Sequence, residues 1–116
     1  RTLEGVPMWM KEKTLEELAK MYATRFMVES MVYKGAWMID RGLDVRSEAA
    51  AIKYWGPELA QQVVDMSLQL HGGAGYIEDS VIARLYRDVR VFRIFEGTSF
   101  IQLLTLGKEI INKYFR

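Results

Sequence analysis

The sequence predicts an all-α domain, a four-helix up-and-down bundle. Three observations predict it: apolar residues recur at helical spacing along most of the 116 residues, strand-like alternation is nearly absent, and the expected connections are short. The chain is 50% hydrophobic, which is enough for the core of a single domain over residues 1–116. The 16 basic and 15 acidic side chains nearly balance, so no nucleic-acid or membrane-surface patch is expected.

The first predicted helix runs from Thr14 to Asp40. Thr14 and Glu17 have the spacing of a capping box, in which each side chain bonds the other residue's backbone amide. Gly42 follows the helix and is typical of a helix stop. The apolar residues of this segment recur at helical spacing: Leu15, Leu18, Tyr22, Met27, Met31 and Met38.

The second predicted helix is capped by Ser47 and runs toward Leu70. Gly56 and Pro57 lie inside it. Because proline removes an amide donor and clashes with the preceding turn, we expect a kink or a break near Trp55.

Two further helices are predicted after a glycine-rich connection. Asp79 or Ser80 caps the third helix, and Thr98 begins the fourth, which continues to the end of the chain. Gly107 is the weak point of the fourth helix, since glycine has a low helix propensity. The apolar side of the third helix carries Val81, Leu85, Val89 and Phe92.

Three glycines cluster between the second and third helices, in Gln69-Leu70-His71-Gly72-Gly73-Ala74-Gly75-Tyr76. The ordinary interpretation is a helix stop, since glycine adopts the left-handed conformation without a Cβ clash. Three glycines exceed what a cap requires, so a flat ligand or a second backbone is expected nearby, with Gln69 and His71 at its edge. A Rossmann-type loop is excluded because no strand precedes it. His71 has no metal-ligating neighbour at ligand spacing, so no metal site is expected.

Glu96 is the candidate catalytic residue. Acidic residues are common just before a helix, where free amides and the macrodipole attract negative charge, and this structural role explains many of them. Here the neighbours Ile94, Phe95 and Phe100 are apolar. We therefore expect a carboxylate partly shielded from water, which is a better proton acceptor near neutral pH. Gly97 leaves room beside it for a substrate.

Several segments together resemble the C-terminal helical domain of acyl-CoA dehydrogenases in their order and spacing. They are the glycine cluster, Arg84-Leu85-Tyr86-Arg87-Asp88, and Ile94-Phe95-Glu96-Gly97-Thr98-Ser99 with Ile101-Gln102. Upstream, Glu48-Ala49-Ala50-Ala51 with Lys53 looks like the family's preceding helix, and Arg1–Pro7 is similar to its Arg-x-x-Phe-Gly-x-Pro turn. The resemblance covers essentially the whole chain. It implies that the parent enzyme also has an N-terminal helical domain and a middle β-domain.

The resemblance implies α,β-dehydrogenation of an acyl-CoA thioester, with FAD as the hydride acceptor. Glu96 stands at the position of the base that removes the α-proton, and its amide at that of a donor to the thioester carbonyl. Gly97 lies beside the substrate. In the family the glycine loop typically serves a neighbouring subunit. The positions that contact FAD correspond to Arg1, Gln69, Gly72, Gly73 and Thr98.

The resemblance also implies partners and a location. They are a homo-oligomer (dimer or tetramer), an electron-transfer flavoprotein as electron acceptor, and either a prokaryotic cytoplasm or a mitochondrial matrix. Two alternatives stay open: a related flavin oxidase, and a non-catalytic helical oligomerisation module that has lost FAD. Retention of Glu96 argues against a flavin monooxygenase. The isolated chain is expected to be inactive, because most flavin and thioester contacts lie outside it.

Four departures from the family pattern indicate a divergent branch. Glu4 replaces an aromatic residue, Phe100 replaces a polar residue, and Val81 stands where proline is common. Gly56-Pro57 falls where the family's helix is usually unbroken. The acyl chain length of the substrate and the choice between oxygen and a carrier protein as acceptor stay open.

Overall fold

The computed structural model describes residues 1–116, and helices dominate it. The chain begins with a small antiparallel hairpin of β1 (Thr2–Leu3) and β2 (Val6–Pro7), in which Thr2 pairs with Pro7 and Leu3 with Val6. A 3₁₀ turn, Met8–Met10, leads into the first helix. The α-helices are α1 (Glu12–Asp40), α2 (Arg46–His71), α3 (Gly73–Tyr76), α4 (Val81–Val91) and α5 (Ser99–Tyr114).

Helix α2 is the centre of the fold. Helices α1, α4 and α5 each pack along it, while contact between any two of these three is at most marginal. The molecule is correspondingly elongated, with principal extents of 63 × 26 × 25 Å. The prediction of an all-α domain with four principal helices is confirmed. In this chain the helices surround α2 instead of a shared interior.

The buried core is small for a chain of this length. Only 7 of 116 residues are buried, whereas large apolar side chains such as Tyr22, Phe26 and Tyr76 are 70%, 65% and 82% exposed. Exposed apolar surface of this extent marks faces that other protein or ligand groups cover. The buried residues are Thr14, Gly35, Ala50, Leu59, Gln61, Gly75 and Ile82.

The start of α1 differs from the prediction. The N-cap residue is Lys11, and Thr14 lies inside the first turn, where it is buried. Because α1 begins at Glu12, Thr14 is the third residue of the helix and does not hold the capping position. Glu17 forms an ion pair with Lys13 at 2.7 Å. The predicted capping box is therefore wrong.

Helix α2 continues through Gly56 and Pro57, so of the predicted kink or break near Trp55 the break does not occur. Proline costs the helix one backbone hydrogen bond, to the carbonyl four residues earlier. Packing against three other helices compensates, because tertiary contacts outweigh local propensity. No close contact requires glycine at position 56, since an added Cβ would meet nothing within 4 Å.

The first turn of α2 is stabilised by Asp44 and not by the predicted cap, Ser47. Val45 is the N-cap residue and makes no side-chain hydrogen bond. Asp44 accepts from the Arg46 amide at 3.2 Å and from its guanidinium Nη2 at 2.7 Å. Because these hydrogen bonds stabilise the charged form, the pKa of Asp44 falls from 3.8 to about 2.

The remaining helix ends agree with the sequence. Ser80 Oγ accepts from the Ala83 amide at 3.1 Å, and Thr98 Oγ1 accepts from the Ile101 amide at 3.4 Å. Gly42 ends α1 with φ 67°. Helix α5 passes through its glycine without interruption. None of the helices combines the length and the apolar character that a membrane crossing needs.

Candidate functional site

Glu96 lies in the connection between α4 and α5 with a left-handed backbone. Its φ is 53°, and Gly97 follows with φ 89°. For a residue with a side chain this conformation costs about 1–2 kcal/mol. Strain of this kind is concentrated at functional positions, where surrounding structure maintains it. The loop therefore presents Glu96 in a geometry that an unconstrained chain avoids.

Three consecutive amides in this loop are free. Those of Glu96, Gly97 and Thr98 donate to no other group in the chain. They directly precede α5, whose N-terminus is the positive end of the helix dipole. An incoming oxygen can accept from them without breaking an internal hydrogen bond. The arrangement can therefore polarise a carbonyl or bind an anion.

The carboxylate of Glu96 is exposed in this chain. The side chains expected to shield it, Ile94, Phe95 and Phe100, are themselves 54%, 43% and 66% exposed. The expected shielding from water is therefore absent within the chain. On the α2 side, the loop is instead held by polar contacts from Lys53 and Glu58. Any shield has to come from groups outside these residues.

Lys53 of α2 holds the backbone of the loop. Its Nζ donates to the carbonyls of Phe92 at 2.7 Å and Gly97 at 3.2 Å. The ammonium also lies 5.7 Å from the ring centroid of Phe95, within range of a cation–π interaction. The two carbonyls lie on opposite sides of Glu96 in the chain. One side chain thus fixes both ends of the turn.

Glu58 of α2 holds the same loop through side chains. Its Oε1 accepts from Arg93 Nε at 2.8 Å and from Ser99 Oγ at 2.7 Å. Sequence reasoning noted Lys53 only as part of a family-like segment and missed Glu58. The only local signal was that both charged residues lie on the same helix. Their partners lie 35 to 44 residues further along the chain, so no local pattern contains them.

Gly97 is required by the turn and by its neighbour Gln102. The Nε2 of Gln102 donates to the Glu96 carbonyl at 3.1 Å. A Cβ added at Gly97 would lie 2.5 Å from that nitrogen. The space that the sequence assigned to substrate is thus occupied, on the Cβ side, by the Gln102 amide.

The structure brings Arg1 to the glycine cluster. Its Nη1 donates to the His71 carbonyl at 2.6 Å, and the guanidinium lies against Gly72, which has φ 64°. Arg1 is exposed, and guanidinium has five N–H donors, so several stay free. Positive charge beside a glycine backbone suits a phosphate group. No hydrogen bond links this pair to the Glu96 loop.

The three glycines of the cluster have different structural roles. Gly72 supplies the positive φ that ends α2. Gly75 allows close packing, since a Cβ there would lie 2.6 Å from His71 Cβ and 3.2 Å from Ile82 Cγ2. At Gly73 a Cβ would meet nothing within 4 Å. Only Gly73 lacks a reason inside the chain, so the expected approach of a ligand or second backbone concerns this residue.

The sequence profile of the family described as "Acyl-CoA dehydrogenase, C-terminal domain" matches residues 1–111. This chain belongs to that family. The 3-(aryl)acrylate reductase of Clostridium sporogenes (strain ATCC 15579) is 42% identical over 95 residues, which make up 82% of this acyl-CoA dehydrogenase domain and 25% of that protein. The family resemblance predicted from the sequence is confirmed.

Solved structures agree in fold. Butyryl-CoA dehydrogenase from Megasphaera elsdenii superimposes with a TM-score of 0.92 at 30% identity, over 96% of this domain and 29% of that chain. An acyl-CoA dehydrogenase from Geobacillus kaustophilus has a TM-score of 0.92 at 29% identity, over 95% and 29% of the two chains. This acyl-CoA dehydrogenase domain therefore spans less than a third of the length of these relatives.

Members of the acyl-CoA dehydrogenase family are flavoproteins, and the residues predicted to contact FAD fit such a group. Gly73 borders open space, and Arg1 has free donors beside the same loop. The Thr98 hydroxyl accepts from a helix amide, which leaves its proton free to donate outward. The side chain of Gln69 is exposed and makes no hydrogen bond within the chain.

Proposed function

We propose that this chain is the C-terminal domain of an FAD-dependent acyl-CoA dehydrogenase in which Glu96 is the base for α,β-dehydrogenation. One observation carries the proposal: in a chain of this family, Glu96 is exposed, and its own amide and the next two amides have no partner. A base and a set of carbonyl donors in one turn are what removal of a proton next to a thioester requires.

The chemistry assigned to Glu96 is a proton transfer. Its carboxylate takes the α-proton, and the electrons of that C–H bond form the new α,β double bond. The amide of Glu96 donates to the thioester oxygen and stabilises the negative charge that develops there. The β-hydrogen leaves as hydride, and FAD, when bound, would accept it.

FAD is assigned to two separate places on the chain. Arg1, Gln69, Gly72 and Gly73 would hold its phosphate and adenine portions, and Thr98 would donate to the flavin. The open space at Gly73 supports a loop that serves a neighbouring subunit of a dimer or tetramer. The extensive exposed apolar surface supports the same assembly.

The remaining assignments follow the family resemblance. An electron-transfer flavoprotein is the proposed electron acceptor. A prokaryotic cytoplasm or a mitochondrial matrix is the proposed location. Gly97, which makes the turn beside Glu96, would lie against the acyl-CoA substrate.

A reductase of 3-arylacrylate-type substrates is the second candidate. The 42% identity with a 3-(aryl)acrylate reductase favours it. The same residues serve the reverse direction: protonated Glu96 would deliver its proton to the α-carbon of an activated double bond, and reduced FAD, when bound, would supply the hydride that adds to the β-carbon. The two candidates therefore differ in substrate and direction and agree on the role of Glu96.

The full-length protein that contains this chain provides the test. We expect flavin absorbance in the purified protein and anaerobic bleaching on addition of acyl-CoA thioesters. Bleaching by thioesters supports the dehydrogenase. Reoxidation of the reduced enzyme by 3-arylacrylates, without bleaching by acyl-CoA, supports the reductase. Rapid reoxidation by oxygen indicates an oxidase. A colourless protein that takes up no added FAD indicates an oligomerisation module and contradicts both proposals.

A further inference from the structure

We propose that Lys53 and Glu58 are positioning residues that hold Glu96 in its reactive geometry. This inference rests on the proposed function of Glu96 as the base. Neither residue touches the reacting atoms. Both lie on α2, and both act on the loop that carries Glu96.

The Glu96 side chain does not hold itself in place. Its carboxylate forms no hydrogen bond and no ion pair within the chain. Its position therefore depends on the backbone, which adopts a left-handed conformation at both Glu96 and Gly97. A strained turn of this kind persists only where the surrounding structure restrains it.

Lys53 restrains the turn by binding one carbonyl on each side of Glu96. The bond to Phe92, at 2.7 Å, alone would be an ordinary cap of the α4 C-terminus. The bond to Gly97, at 3.2 Å, ties that cap to the far side of the turn. Hydrogen bonds from an ammonium are stronger than those between neutral groups, so this link is suited to resist opening.

Glu58 restrains the flanks of the same turn. Its Oε1 accepts hydrogen bonds from Arg93 and Ser99. Arg93 precedes Glu96 in the chain, and Ser99 follows it at the start of α5. The Glu58 side chain is only 18% exposed and that of Arg93 is 32% exposed. The half-buried pair is screened less by salt than a surface pair is. Two oppositely charged side chains of one helix thus bracket Glu96 from both sides.

The central experiment uses full-length holoenzyme with Lys53→Met, which keeps the stem and removes the three donors. We measure the rate constant of flavin reduction by an acyl-CoA thioester, the FAD content and the apparent Tm. A displacement of about 1 Å at a reacting group can cost about 10²-fold in rate. We expect a loss of that order per bound flavin, with FAD retained. Lys53→Arg, which keeps charge and donors, should recover part of the rate.

Lys108→Met is the matched control. Lys108 lies on α5, is exposed, and has no hydrogen-bond or ion-pair partner in the chain. Its rate of flavin reduction should equal that of the unmodified enzyme. An equal loss in Lys108→Met and Lys53→Met would overturn the inference, since it would show a general effect of lost positive charge.

A double variant distinguishes positioning from general structural support. If Lys53 acts through Glu96, adding Lys53→Met to Glu96→Gln lowers the rate no further. A second full loss in the double variant would mean that Lys53 acts elsewhere. If Glu96→Gln alone keeps the wild-type rate, the proposed function fails. If Glu96→Gln is slow and Lys53→Met is not, only the positioning role fails.

Glu58→Gln and Ser99→Ala keep the inference testable if Lys53→Met does not yield folded holoenzyme. Glu58→Gln retains shape and one oxygen while removing the charge, and Ser99→Ala removes one hydroxyl contact. We expect slower flavin reduction in both, with the larger loss in Glu58→Gln. Wild-type rates in both variants would contradict the role of this anchor.

Discussion

The two connections that flank α4 contain similar backbone conformations but serve different purposes. The glycine cluster before α4 and the Glu96 loop after it each contain a glycine with positive φ. In the cluster, Gly72 and Gly75 are explained by the turn and by packing. In the Glu96 loop the backbone is restrained, yet a carboxylate and three amides have no partner. A carboxylate and three amides without partners, more than unusual conformation, therefore mark the Glu96 loop as the candidate catalytic site.

The largest expected effect is on the rate of flavin reduction, which should respond to a substitution in the Glu96 loop and not to one in the glycine cluster. Glu96→Gln should lower flavin reduction by acyl-CoA about 10²- to 10⁴-fold in the full-length enzyme, since a general base is lost while the shape is kept. Gly73→Ala should lower FAD content and leave the rate per bound flavin unchanged. Stopped-flow absorbance measures both. Slower flavin reduction in Gly73→Ala while FAD stays bound would contradict these separate roles.

The next effect distinguishes the glycines within the cluster by stability. Gly75→Ala places a Cβ 2.6 Å from His71 Cβ, close to backbone that cannot move away. Overpacking of this kind costs about 1–3 kcal/mol. Gly73→Ala should cost less than about 0.5 kcal/mol, because nothing lies near its Cβ. The apparent Tm of the full-length protein, with and without added FAD, measures the difference. Equal Tm values for the two variants would contradict the assignment.

A smaller effect concerns the Glu96 loop. Gly97→Ala forces a side chain into φ 89°, at a cost of about 1–2 kcal/mol, and displaces the flexible end of Gln102. We expect this substitution to displace the loop and to have little effect on the stability of the whole fold. We therefore expect a large decrease in the rate of flavin reduction and only a small decrease in Tm. The reverse pattern would make Gly97 a packing residue like Gly75.

The smallest effect is a pH-dependent one, away from both connections. Arg46 lowers the pKa of Asp44 from 3.8 to about 2. An acid with a depressed folded-state pKa stabilises the fold above pH 3.8 and loses that contribution as pH falls toward 2. Asp44→Asn should therefore lower Tm slightly at pH 6, with the difference vanishing near pH 2. Because the pair is exposed, the difference should also shrink with salt.

Local sequence signals predicted the features that depend on a few consecutive residues. The caps at Ser80 and Thr98 belong to this group, since their hydroxyls bond amides three residues away. Helical spacing of the apolar residues predicted the all-α fold, and the order of the motifs predicted the family. The hairpin at Thr2–Pro7 was missed because strands of two residues have no periodicity to detect.

Features that depend on distant contacts were missed or mispredicted. Pro57 suggested a break that packing on α2 overrides. Thr14 suggested a cap, but α1 begins at Glu12, and Thr14 is buried in its first turn. The anchors at Lys53 and Glu58 act on residues 35 to 44 positions away, which no local pattern contains.

The scarcity of buried residues has a consequence for how this polypeptide behaves in dilute solution. With only 7 of 116 residues buried, we predict that folding of this chain is coupled to contact with the protein surfaces that cover its exposed apolar faces. Apparent melting temperature should then rise with protein concentration. In the full-length enzyme, Phe26→Ser, which changes an exposed apolar residue of α1, should lower turnover more in dilute samples than in concentrated ones, although Glu96 is untouched.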